Sequence, residues 1–335
     1  MKARTDRFGR TELPERQQQA LKRAIRIEWA TIAFLAVAIT AVGLVTGSSQ
    51  AMKAAWIEDM LSLAPPFAFL LAVRLANKQP NPKYPFGYHR SVGVAHLVAG
   101  VALFTMGAFL LYDSISGLVK AEHPPIGTVV LFGQQLWLGW LMMGVMALTI
   151  PLPIYFGRVK MRLAEELHDK VLYADADMNK ADWMTAAGSI VGVAGIGLGL
   201  WWMDAAAASF IAASILWDGI KNMKAAITDL MDTRATTFDE GKPHPDAAKV
   251  DDYLSGLPWV ADAGARVRDQ GHVFHVEAFV VPRRGMSPTL EQLMEARDGC
   301  IALDWKIQDI VIVPIDELPE EVGGPSAEHQ SERNR

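Results

Sequence analysis

The stretch VGVAHLVAGVALFTMGAFLLYDSISGLV (residues 92–119) holds one charged side chain, Asp113. A hydrocarbon core of ~30 Å takes about 20 helical residues, so this stretch reads as a transmembrane helix. Four further segments of similar character lie around it: Trp29–Thr46, Ala54–Leu75, Leu136–Phe156 and Tyr173–Met203. A sixth, Ala205–Trp217, is shorter, ends at Asp218 and is left undecided by length alone. The 335 residues are 51 % hydrophobic, with charge gathered at the two ends, which suggests a membrane part flanked by wet parts. A net charge of −5 argues against a nucleic-acid partner. The single cysteine, Cys300, excludes an intramolecular disulfide and a cysteine-based zinc cluster, and reads as a small buried residue of a soluble helix. The basic, polar start has no apolar core before a small-residue site, so no cleavable signal peptide is expected.

Basic residues decide the number of crossings. They crowd the start (Lys2 to Arg26), the loop with Arg74, Lys78, Lys83 and Arg90, the segment with Arg158, Lys160, Arg162, Lys170 and Lys180, and the end of span six (Lys221, Lys224, Arg234). The intervening loops hold only Lys53, only Lys120, and none at Asp204. Positive loops face the cytoplasm. The alternation therefore predicts six crossings with both termini inside. In span five, Gly188, Gly192, Gly195 and Gly199 form small-xxx-small pairs, for which helix packing is sufficient reason.

From about Ala235 the pattern becomes that of a soluble domain. Pro245–Leu257 reads as an amphipathic helix, Val260–Arg268 and His272–Val281 as a hairpin turning at Gln270-Gly271, Leu290–Leu303 as a helix capped by Ser287 or Thr289, and Ile307–Val313 as a strand. The expected order is α-β-β-α-β, an α+β, ferredoxin-like arrangement of three strands and two helices. So small a core would gain from dimerisation. The polar tail is expected to lack structure.

Charge inside a bilayer is costly, so intramembrane carboxylates are functional candidates. Span two carries Glu58 and Asp59; span five opens with Asp175, Asp177 and Asp182, of which Asp175, Met178 and Asp182 share a helical face. Asp177 reads as water-facing, and Asp113 as near the outer end of its span. Carboxylates from two helices make an oxygen-rich site for a hard or borderline divalent cation, and can carry protons when it leaves.

Several motifs together resemble the cation diffusion facilitators. Tyr84-Pro-Phe-Gly-Tyr-His-Arg90, Leu70-Leu-Ala-Val-Arg74-Leu, Tyr173-Ala-Asp175 followed by Asp182, Leu230-Met-Asp232, Leu257-Pro-Trp-Val260 and Val311–Val313 fall in that family's order and spacing. The resemblance, over roughly residues 25–316, implies a homodimer that exports divalent metal cations against protons. It also implies a four-ligand site, two residues each from spans two and five. Here those positions are Glu58, Ser62, Met178 and Asp182, with Asp59 and Asn179 as neighbouring substitutes and Asp175 flanking. Positions that are often histidine in the family's cytoplasmic domain fall on Ala263, Ala278 and Pro314. His275 and Glu277 lie at other positions, on one strand face, and read as an exposed polar face. A histidine-free site suits manganese or iron slightly better than zinc.

The expectation is thus a six-helix bundle over 25–234 after a cytoplasmic tail (1–24), a cytoplasmic dimerisation domain over 235–318, and a loose tail (319–335). The protein is read as a cation/proton antiporter of the cell membrane, without a prosthetic group. The rival is a non-transporting sensor or partner subunit on the same fold. An enzyme is disfavoured, because no nucleotide loop, His-Glu-x-x-His or nucleophile elbow is present.

Overall fold

The computed structural model describes residues 13–46, 50–78, 80–121, 126–131, 134–239, 241–271 and 273–322. His272 and the tail beyond 322 lie outside the described residues. The chain divides into two compact units. One is helical, residues 17–74 and 93–227; the other holds, among the described residues, 13–16, 75–92 and 228–322.

The helical unit contains α1 (Glu15–Val45), α2 (Gln50–Leu61), α3 (Ala64–Ala76), α4 (Ser91–Val119), α5 (Leu138–Thr149), α6 (Pro151–Leu167), α7 (Lys170–Gly197) and α8 (Met203–Leu230). Pairs α2–α3 and α5–α6 are single spans broken where prolines remove backbone donors: Pro65 and Pro66 in the first, Pro151 and Pro153 in the second. Among the described residues five helical spans are long and apolar enough to cross a membrane, and Met203–Leu230 is one of them. The Ala205–Trp217 segment therefore extends well past Asp218. Helix α7 is equally long, but Asp175, Asp177, Lys180 and Asp182 charge its first half.

The segment from Arg158 to Lys170, expected as a basic loop, is mostly helix. Helix α6 runs on to Leu167, His168 closes it in a left-handed conformation (φ 50°), and Asp169 caps α7 through Val171 N and Leu172 N at 2.9 and 3.0 Å. Lysine and arginine are good helix formers, so a basic stretch fixes a side of the membrane without ending a helix. Likewise α1 begins at Glu15, ahead of the boundary expected at residue 25. The loop expected before span four holds an antiparallel pair, β1 (Thr128–Leu131) with β2 (Gln134–Trp137), built on β-branched Thr128, Val129 and Val130.

Glycines set the helix spacings. At Gly107 and Gly219 any Cβ would lie 2.4 Å from backbone nitrogens of Leu216 and Phe104, so α4 and α8 cross backbone to backbone. The α7 stripe makes room for the start of α8, with Gly192 against Asp204 and Gly195 against the Met203 side chain.

The second unit follows the expected element order: α9 (Asp246–Ser255), β3 (Val260–Asp269), β4 (Phe274–Pro282), α10 (Leu290–Leu303) and β5 (Ile307–Pro314). Strands β3 and β4 pair antiparallel, and β4 and β5 parallel, in the order β3-β4-β5. The parallel step follows from α10, whose Thr289–Gln292 capping box starts the crossover helix. Val250, Leu254, Phe274, Val276, Ala278, Cys300, Ile307 and Ile310 form the core. The tail, expected to be loose from residue 319, makes a single helical turn at Glu320–Val322, and Val322 packs on Gly264.

Candidate cation site

Glu58 and Ser62 stand one turn apart on α2 and just past its end, and both are buried. Met178 and Asp182 stand one turn apart on α7, also buried. The two pairs meet. Ser62 Oγ donates to Asp182 Oδ1 at 2.7 Å, and the Glu58 carboxylate lies within electrostatic reach of Asp182. The polar neighbours of the Glu58 carboxylate are the Thr185 hydroxyl, one turn beyond Asp182, and the carboxylates of Asp182 and Asp59, with no basic side chain among them. Met178 packs with Leu61, Met106, Ala181 and Ile215, which wall the site in apolar surface. Two carboxylates and two hydroxyls thus come together beside the buried Met178, and the nearest ammonium, that of Lys160, reaches Asp182 only electrostatically. Such a set is chemically suited to a cation.

Asp59 lies about 100° around α2 from Glu58. It is half-buried and close enough for its charge to act on Asp182. Among the described residues no three His, Cys, Asp or Glu side chains come together closely enough to hold a metal ion, so carboxylates alone do not complete this site.

Asp175 is elsewhere. Its carboxylate receives Lys160 Nζ at 2.6 Å, and the same ammonium stands 2.9 Å from Glu28 Oε2. All three side chains are buried, on α6, α7 and α1. Asp175 is therefore neutralised by a lysine that the basic-loop reading had placed outside the membrane, and Glu28 was not singled out by sequence at all. A signal existed: Glu28 directly precedes the first apolar stretch, and Lys160 follows Val159 on an amphipathic helix. Asp177 is half-exposed and lines a cleft of about 460 Å³ with Arg158, Lys180 and Trp183, in keeping with a water-facing carboxylate.

In the second unit His275 is buried rather than exposed. Its Nδ1 is 2.8 Å from Asp309 Oδ2, and its ring meets Phe86 edge-on, centroids 6.4 Å apart. Glu277 is bound by Arg266; burial works to raise its carboxyl, but the guanidinium outweighs it and holds it below the ordinary range. Ala263 and Ala278 are core residues. Arg90 joins Leu230 O and Asp232, which also takes Arg268.

These observations accord with comparison to known proteins. A model of the cation efflux transmembrane domain matches residues 27–231. The manganese efflux system protein MneS of Bacillus subtilis is 24 % identical over 248 residues, 72 % of this chain and 78 % of MneS. The uncharacterized transporter YdbO of the same organism is 24 % identical over 204 residues, 58 % of this chain and 66 % of that one. The magnetosome protein MamB of Magnetospirillum gryphiswaldense is 23 % identical over 167 residues, half of each chain (50 % and 52 %). With five apolar membrane helices and a match over most of its length, this chain belongs to the cation efflux, or cation diffusion facilitator, family: a multi-pass membrane transporter of metal cations, not an enzyme.

Proposed function

We propose that the chain exports a divalent cation in exchange for protons, by alternating access, with Glu58, Asp182, Ser62 and Met178 around the ion. The observation that carries this reading is the Glu58 carboxylate, buried opposite Asp182 with a hydroxyl and two carboxylates, and no basic side chain, as its polar neighbours. Such a charge is unaffordable in a bilayer unless an ion or a proton neutralises it. Both neutralisers serve in turn in an antiporter. Oxygen and thioether donors without histidine favour manganese or iron(II) over zinc, and one relative carries manganese efflux in its name.

Helix α7 is taken as the sixth span, with Asp175 and Asp182 buried in the protein and Asp177 and Lys180 on its cleft-facing side. Both termini then fall in the cytoplasm, and the chain acts as a homodimer held by its C-terminal unit in the cell membrane.

The absence of a second carboxylate at Ser62 and Met178 supports a second reading, a sensor or partner subunit that binds without transporting. Flux in proteoliposomes separates the two. Manganese, iron(II), zinc and cobalt are offered with and without a pH gradient. Gradient-driven manganese or iron movement supports transport; tight binding without flux of any cation supports the sensor.

A further inference from the structure

The break between α2 and α3 falls at the ion site. In an α-helix each carbonyl accepts from the N–H four residues on, and Pro65 and Pro66 have none. The carbonyls of Leu61 and Ser62 therefore lose the donors a continuous helix would supply. The turn's own bonds run Ser62 N to Glu58 O at 2.8 Å, Leu63 N to Met60 O at 3.4 Å and Phe67 N to Leu63 O at 3.3 Å, and none of these ends on Leu61 O or Ser62 O. Glu58, Ser62 and Pro66 follow one another at four-residue steps and all three are buried, so they share one face of the span. It is the face on which Ser62 Oγ meets Asp182 and on which the Glu58 carboxylate is buried without a basic partner. Leu61 closes α2 and Ser62 follows it in the turn, so both carbonyls fall at the break, on the residues that flank and form the Ser62–Asp182 contact. Backbone freed at membrane depth persists where it lines a cavity or binds an ion.

We propose that the carbonyl oxygens of Leu61 and Ser62 are ligands of the transported cation. They supply oxygens where Ser62 and Met178 bring no carboxylate and where, among the described residues, no third acidic side chain completes the set. The inference rests on the Glu58–Asp182 reading of the ion site. Neutral carbonyls bind a hard cation without adding charge, so the site stays selective for oxygen-loving ions while a single proton or two suffices to empty it.

The test uses purified full-length protein and manganese(II), followed by electron paramagnetic resonance. Pro65→Ala/Pro66→Ala restores both N–H groups, and manganese affinity should fall on the order of tenfold or more, as for other changes at a metal's supports. Adding Ser62→Asp to that variant should recover the affinity, which a merely structural effect of the prolines would not permit. In the parent, carbonyl carbon-13 labelling of leucine should give a coupling to bound manganese that vanishes in Leu61→Ile; this reading needs no proline variant to fold. Parent-like affinity in the double alanine variant, or no carbonyl coupling, overturns the inference. Should Asp182→Asn leave the parent's manganese binding unchanged, the ion-site reading itself fails, and that result is distinct from the other two.

Discussion

Lys160 is a buried cation shared by two buried carboxylates. Its ammonium is fully buried between Glu28 and Asp175. Removing one partner of a buried ion group strands the others without water, at a cost of about 3–5 kcal/mol. Lys160→Met should therefore lower the unfolding midpoint of the detergent-solubilised protein steeply, and adding Glu28→Gln should recover part of the loss; a midpoint equal to the parent's would show that the triad is hydrated. Asp251 offers a milder case. Burial pushes its carboxyl up to about 6, against the Ala265 backbone hydrogen bond, which lowers it. The folded state thus holds the proton more tightly than the unfolded state. That stability is complete below the ordinary carboxylate value and is lost as pH rises through about 6. Asp251→Asn should raise the melting temperature of a 235–318 fragment at neutral pH and change it little in acid. The carboxylates Glu58 and Asp182 were legible in sequence because charge in an apolar run has few innocent explanations. Asp175 was legible as buried but not as paired. Its partner Lys160 lay in a run of basic residues, and basic runs carry information about membrane side, not about which member turns inward.

At the scale of elements, apolar length located the spans, and hairpin and cap signals located the small domain. Gln270-Gly271 is the β3–β4 turn and Thr289 is the α10 cap. Two things escaped. Helices α6 and α7 extend through basic residues, because helix formers end a helix only with a breaker or a cap. The α2–α3 break escaped too, although Pro65-Pro66 inside a span is a local signal that needs no structure to read. Glycine contacts were legible as packing on α7; those of α4 with α8 were not, since single glycines have no motif. Gly107→Leu should destabilise the bundle by about 1–3 kcal/mol through overpacking, measured as a lowered unfolding midpoint; an unchanged midpoint would deny the close α4–α8 crossing. On α10, burial pushes the Cys300 thiol up to about 12. It should resist thiol reagents in the native protein and react at the rate at which the C-terminal unit unfolds; rapid labelling without denaturant would contradict its place in the core.

For the whole molecule, the account rests on topology, assembly and transport. A reporter fused after Asp232 should be active only in the cytoplasm; activity outside would remove one crossing. The isolated C-terminal fragment should keep its dimer mass in chelator, because Ala263 and Ala278 fill the core where family members often carry histidine. A metal-dependent change in mass would refute this. The fold class followed from the distribution of apolar and basic residues along the chain, whereas the chemistry of the site depends on which helices meet, and a single chain records that only through residues matched to a family. The most direct test of the central claim is manganese flux into proteoliposomes driven by an opposing proton gradient, for the parent and for Asp182→Asn. The amide keeps the shape of the side chain and removes its charge. The parent should move manganese and the variant should not, while eluting as a folded protein. Manganese flux at the parent's rate in Asp182→Asn would contradict the account.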